Sequence, residues 1–370
     1  MSPLKSYGSR SIVRSTMQNE IAGYGTWATF VRIRDRVRGD DVTNQVATAL
    51  GVPEPVRDPA VFVVSSASRR GVTTSEVSWP VQFGPDLHAW LLHPTGVDPR
   101  TLPGVLALHS HAGIKSIGAA RMVAREESGR SYREAFEGGE AFADRLAESG
   151  FAVLAPDAFS WGSRRFRLHP VPDKLQRIAD LLRLSGVPEE RWYDELASVH
   201  EHLVAKFAGV IGTSYAGMVA HDDLSSLDVL RGACNGQISV AGFSSGGARA
   251  MIVAALAPVD RVSVVAMMST YESLIPDYVA AHSWLLHTPG LSQVMDLPEL
   301  AAARREHALQ VVYCEQDPMF PITGMRDADA RLRELFADAP GSYQGVSVPT
   351  GHEFGPRTQD LVIAFLNQAR

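Results

Sequence analysis

"ISVAGFSSGGARAM", residues 238–251, decides how the rest of the chain is read. Its first half is apolar and β-branched, as suits a strand buried on both faces. Its second half is a run of small residues that suits the start of a helix. Between them two glycines bracket a serine pair, Gly242-Phe243-Ser244-Ser245-Gly246. Gly-x-Ser-x-Gly between a strand and a helix is the setting of a nucleophile elbow, where the serine sits on a sharp, strained turn. Gly242 and Gly246 remove Cβ atoms where strand and helix would collide, and Gly247 and Ala248 keep the helix start close-packed. The N–H groups of the first helical turn would favour negative charge developing beside Ser244. Alone, the pattern is weak evidence.

A serine is a poor nucleophile without a base, and the base wants an orienting acid. Two later stretches supply them. "VVYCEQDPMFP" (311–321) ends an apolar strand at Asp317, and "VPTGHEFGPR" (348–357) sets His352 between the last strand and the last helix. The turns at Asp317-Pro318 and Gly351-His352 expose both side chains at the C-terminal edge of a sheet, where the elbow also points. Glu315 is the competing acid, on the same strand face but deeper.

Around these stretches, short apolar runs alternate with helical segments. Strands are expected at 104–110, 151–158, 238–244, 262–269, 309–317 and 342–348. Helices are expected at Tyr132–Ser149, Tyr215–Arg231, Gly247–Leu256, Asp327–Phe336 and Arg357–Gln368. Such alternation specifies an α/β fold with a mostly parallel sheet flanked by helices. "SEVSWPVQF" and "LHAWLLHP" flank Gly84-Pro85-Asp86 as a hairpin. Between Ala158 and Tyr215 the gap is too long for one crossover. It carries helical stretches at 172–186 and 190–209, which read as a helical cap insertion at about 159–214. Residues 1–71 differ in pattern, with helical spacing at 19–37 and 41–50 and a proline-rich connector at 51–60, so an N-terminal helical appendage is expected.

Composition bounds the function. The 370 residues carry a formal net charge of -6, which argues against a nucleic-acid partner. The two cysteines, Cys234 and Cys314, fall in or beside buried strands, where core packing is expected rather than a disulfide. Two cysteines with scattered histidines give no zinc spacing, so no metal is expected. The first twenty residues lack an apolar signal core, and no run approaches a membrane span. A cytoplasmic protein with no membrane partner is the expectation.

Taken in order, "ALHSHAG", "APDAFSWGSRR", "GFSSGG", "YCEQDPMFP" and "GHEF" make the region from Val72 to Arg370 resemble the α/β-hydrolase superfamily. It is most similar to the dienelactone-hydrolase-like and acetyl-xylan-esterase-like branch. The resemblance implies the α/β-hydrolase fold over 72–370 and the chain order nucleophile, acid, base. It implies a Ser244–His352–Asp317 triad that cleaves an acyl bond without a cofactor, acting on a small-molecule ester, lactone or thioester. C–C bond hydrolysis, acyl transfer and a non-catalytic binding role stay open beside it. The family's oxyanion loop usually reads His-Gly-x-Gly, whereas this chain has His109-Ser110-His111-Ala112-Gly113. Ser245 N–H is expected as one oxyanion donor and His111 N–H as the other, with Ser110 or Ala112 as alternatives. Ser110, Trp161 and Arg164 are candidates for the substrate pocket, Arg164 because a guanidinium can bind a carboxylate bidentately, although surface pairing is the blander reading. Asp157 and His109 are expected to be structural. "HSWLLHTPG" (282–290) either lines a pocket wall or packs the core. The N-terminal helices would cover the hydrolase core or form a homodimer interface.

Overall fold

The computed structural model describes residues 41–368, apart from 276, 340 and 341. Nine strands form one sheet: β1 (Phe62–Arg69), β2 (Val72–Trp79), β3 (Leu87–Pro94), β4 (Gly104–Leu108), β5 (Ala152–Pro156), β6 (Ile238–Phe243), β7 (Arg261–Val265), β8 (Ala308–Cys314) and β9 (Tyr343–Val348). Their spatial order is β1-β2-β3-β5-β4-β6-β7-β8-β9. Strands β1 to β3 pair antiparallel and meet β5 antiparallel, while β5, β4, β6, β7, β8 and β9 run parallel. Every residue of β4, β5, β6 and β7 is buried, which is why these strands read as largely apolar runs, interrupted only by Ser239, Arg261 and Ser263. Alternate residues of β6 feed opposite faces. Val240 joins the larger core cluster, and Ala241 and Phe243 join the other.

The helices used below are α1 (Val42–Leu50), α2 (Arg130–Phe136), α3 (Phe142–Glu148), α4 (Gln176–Leu184), α5 (Glu189–Val210), α6 (Tyr215–Ala233), α7 (Ser245–Leu256), α8 (Ile322–Leu335) and α9 (Pro356–Leu366). Helices α4 and α5 fall within residues 159–214, the stretch read as a helical cap insertion, and α1 falls on the helix expected at 41–50. The stretch at 19–37 lies outside the described residues. Among the described residues no single helix is long and apolar enough to cross a membrane. Cys234 and Cys314 are both buried free thiols.

Two boundaries differ from expectation. The sheet begins at Phe62, not near Val72, so residues 62–69 belong to it. The turn that joins β1 to β2 is only Arg70-Gly71, both with positive φ (51° and 83°), a tight hairpin hidden by the polar "SSASRR" before it. The helix expected over Tyr132–Ser149 is two, α2 and α3. Gly138 and Gly139 separate them with φ of 63° and 83°, a left-handed pair that no helix accommodates.

Helices α6 and α7 are tied by a buried ion pair beneath the site. Arg249 Nε donates to Asp223 Oδ2 at 2.9 Å and Nη2 to Oδ1 at 2.6 Å, with both side chains at most 2% exposed. A third guanidinium donor reaches the His109 carbonyl at 3.0 Å, linking the pair to the end of β4. Asp223→Ala leaves the guanidinium charge buried and uncompensated. Chemical denaturation should show a loss of about 3–5 kcal/mol of unfolding free energy, whereas the exposed Arg130→Ala should leave the transition in place.

Candidate active site

At the C-terminal ends of β6, β8 and β9 three side chains meet. Ser244 follows β6 with φ 56° and ψ -126°, a region that residues with a Cβ rarely enter. The strain is held by packing on both sides. The Ser244 N–H donates to the Val265 carbonyl at 2.8 Å, and its own carbonyl accepts from Gly247 N–H at 2.8 Å. A Cβ on Gly242 would lie 2.3 Å from the Gly246 backbone, and one on Gly246 would lie 2.0 Å from the Leu108 carbonyl oxygen. Both glycines are therefore required by close approach of strand and helix.

His352 Nε2 lies 2.9 Å from Ser244 Oγ, and its Nδ1 lies 2.6 Å from Asp317 Oδ2. A carboxylate only accepts, so Nδ1 carries the proton and Nε2 has the lone pair facing the serine hydroxyl. The Asp317 side chain is fully buried. Its second oxygen accepts the Met319 N–H at 2.8 Å, which fixes the carboxylate plane. Phe243 backs the imidazole, ring centres 4.9 Å apart. Glu315 is exposed, and the carboxylate bonded to His352 is that of Asp317.

Ser244 and His352 open on a cavity of about 440 Å³. Its apolar lining includes Phe136, Met267, Leu285, Leu286, Met319 and Phe320. Its polar lining includes Ser110, His111, Glu201, His202 and His282. No lysine or arginine lines it among the described residues. Ser245 begins α7 at its edge.

Of the expected pocket residues, Ser110 lines the cavity, with its Oγ 2.7 Å from Tyr132 Oη. Trp161 and Arg164 do not. Trp161 is 1% exposed and sits behind His111, ring centres 5.1 Å apart. Arg164 is also buried and its donors are consumed. Nε reaches Asp222 at 2.8 Å, and Nη1 reaches the carbonyls of Phe83, at 2.8 Å, and Pro85. It ties the β2–β3 hairpin to α6 rather than holding a ligand. Asp157 accepts from Ala119 N–H at 2.8 Å and Ser163 N–H at 2.7 Å, a structural clamp between two loops. His109 is buried, and its Nδ1 donates to the Ser110 carbonyl at 2.9 Å. Burial, with Arg249 and Arg121 nearby, holds its pKa well below the usual histidine value, so it is a neutral spacer.

Residues 282–286 of "HSWLLHTPG" form a wall of the cavity. Burial pushes His282 down to about 4, and its Nε2 donates to the Met319 carbonyl at 3.1 Å. Two further polar residues had no sequence motif. Glu201, on α5, and Lys115, in the loop after β4, meet at 2.7 Å. Burial lowers Lys115 to about 8, while His111 and Lys115 hold Glu201 down to about 2 against its own burial. Among the described residues no group of three or more His, Cys, Asp or Glu side chains could hold a metal ion.

No protein-family model matches the chain. Over 262 residues it is 24% identical to "Putative hydrolase YtaP" of Bacillus subtilis (strain 168), covering 68% of this chain and 73% of that one. Among solved structures it is similar to one described as a "putative acetyl xylan esterase" from Bacteroides fragilis NCTC 9343. There the TM-score is 0.62 and the identity 13%, over 93% of this chain and 82% of the other. It is also similar to acetyl xylan esterase 1 from Thermoanaerobacterium sp. JW/SL YS485, with TM-score 0.52 and 16% identity over 88% and 93% of the two chains. The chain thus has the α/β-hydrolase fold that these esterases share.

Proposed function

We propose that the chain is a serine hydrolase that cleaves a carboxylic ester, lactone or thioester of a small molecule. The observation that supports it is the bonded row Ser244–His352–Asp317, with a strained serine opening on a cavity of mixed apolar and polar lining. As Ser244 Oγ forms a bond to the acyl carbon, its proton passes to His352 Nε2, and Asp317 balances the imidazolium. The carbonyl π pair becomes an oxyanion. His352 then protonates the leaving oxygen or sulfur as its bond to carbon breaks. Water attacks the acyl-enzyme by the same route and frees Ser244.

The oxyanion needs N–H donors already in place. Ser245 N–H, at the start of α7, is one. For the second, Arg121 Nη1 binds the Ser110 carbonyl at 2.8 Å and the His111 carbonyl at 3.3 Å. In a trans peptide the N–H points opposite to the C=O. The His111 N–H is therefore turned from Arg121 towards the cavity face of the loop, which supports His111 as the second donor.

A lining without lysine or arginine and with the Glu201 carboxylate on it favours an uncharged acyl group. A fluorophosphonate probe should label the wild-type protein at one site, and peptide mapping should place it on Ser244. Turnover of an uncharged short-chain ester in ¹⁸O-water should put one label in the acid product. An unlabelled product would point to acyl transfer, and labelling elsewhere would remove Ser244 from the mechanism.

A further inference from the structure

We infer that Glu201, on cap helix α5, is a positioning residue that holds the His111 oxyanion donor in place, so that the cap completes the catalytic machinery. This rests on the serine-hydrolase reading above.

Three groups from two segments converge on the Glu201 carboxylate. Oε2 lies 3.0 Å from His111 Nε2 and 2.7 Å from Lys115 Nζ. Oε1 accepts the Trp284 N–H at 3.1 Å. The His111 tautomer follows from its other nitrogen. Gly113 N–H donates to Nδ1 at 3.0 Å, so Nε2 carries the proton and donates to Glu201. The ring is thereby held at both ends, and its backbone N–H is held with it.

A second carboxylate on the same helix does similar work. Asp194 lies seven residues before Glu201, two turns along one face of α5. Its Oδ1 accepts the N–H groups of Lys115 and Ser116, both at 2.7 Å, and its Oδ2 accepts Ser116 Oγ–H at 2.7 Å. From within the core, Arg121 takes five carbonyls of the same loop: Ser110, His111, Ile114, Ile117 and Gly118. Five of the loop's carbonyls thus go to Arg121, while the backbone N–H groups of Lys115 and Ser116 go to helix α5. Lys115 carries the counter-charge, seated 3.8 Å over the Trp161 ring and bonded to Ser160 and Tyr215. Glu201 itself is about 5% exposed, stands on the cavity wall, and touches none of Ser244, His352 or Asp317 in the hydrogen-bond network. Its influence on the reaction therefore runs through His111.

The test compares Glu201→Ala, Glu201→Gln and the control Glu195→Ala, half-exposed on the same helix, on the full chain, for hydrolysis of an uncharged ester and for binding of a trifluoromethyl ketone. The ketone bonds to Ser244 Oγ and places an oxyanion where the transition state has one. Losing an oxyanion donor outright costs about 10²–10³-fold in kcat, so a misplaced one in Glu201→Ala should cost roughly 10–100-fold, with KM within about threefold. Ketone affinity should fall in step with kcat. Glu201→Gln keeps an acceptor oxygen and should recover most of the loss, and Glu195→Ala should match wild type. A raised KM at unchanged kcat and unchanged ketone affinity would mean that Glu201 merely packs the cap, and would overturn the inference. If Glu201→Ala does not fold, Glu201→Asp decides: the shorter side chain keeps the charge beside Lys115 but draws the carboxylate back from His111 Nε2, so kcat and ketone affinity should both fall, and wild-type values of both overturn the inference. Absence of fluorophosphonate labelling at Ser244 in the wild type is a separate failure, that of the hydrolase reading itself.

Discussion

Replacing Ser244 by alanine is expected to lower kcat towards an activated ester by about 10⁴–10⁶-fold, with the fold intact by circular dichroism. The size follows from what is removed. Without Oγ there is no acyl-enzyme, and His352 has nothing to deprotonate but water. What survives is the cavity and the oxyanion donors, which hold a substrate and polarise it. KM should therefore move little. The neighbouring serine provides the contrast. Ser245 would act through its backbone N–H, which alanine keeps, so Ser245→Ala should retain kcat within about fivefold. Equal losses in the two variants would remove the assigned roles. The backbone region that residue 244 occupies costs about 1–3 kcal/mol, and alanine carries the same Cβ, so the substitution leaves that strain in place and stability should change little.

The second large effect is expected at Asp317. Asp317→Asn preserves shape but presents an amide where a carboxylate accepted the Nδ1 proton. The amide N–H₂ favours the opposite tautomer, with the proton on Nε2, facing a hydroxyl that then has no base. A fall in kcat of about 10³–10⁴-fold near neutral pH should follow. Raising the pH should return part of it, since hydroxide and the serine alkoxide fraction both increase. A variant that keeps wild-type kcat at pH 7 would show that the buried carboxylate is structural.

Much of the arrangement is legible in the sequence. Ser244, Asp317 and His352 could be picked out because each follows an apolar run and each sits in a glycine- or proline-marked turn. The parallel strands were legible for the same reason: residues buried on both faces leave no polar alternation to confuse with a helix. The antiparallel edge was harder. β1 is largely exposed and rich in serine, so nothing in its pattern separates it from a connector. Only Arg70-Gly71 hints at its hairpin. Trp161 and Arg164 misled because residues that suit ligand binding also suit a buried clamp. What separates the two is whether backbone carbonyls exhaust the donors, and sequence does not display carbonyls. Glu201 and Lys115 were invisible for a further reason: they come together from segments 86 residues apart, on elements whose relative placement depends on how the cap docks.

That docking bears on how such enzymes can be rebuilt. A cap that merely roofed a pocket could be exchanged for another to change what the pocket admits. Here helix α5 supplies acceptors for the amide groups of Lys115 and Ser116 and for the imidazole of His111. A chimera that imported a foreign cap would strip those acceptors and leave the donors of the loop unmatched at the new seam. A workable graft would carry Asp194, Glu201 and residues 109–118 as one block, because in this chain the module boundary runs through the machinery and not around it.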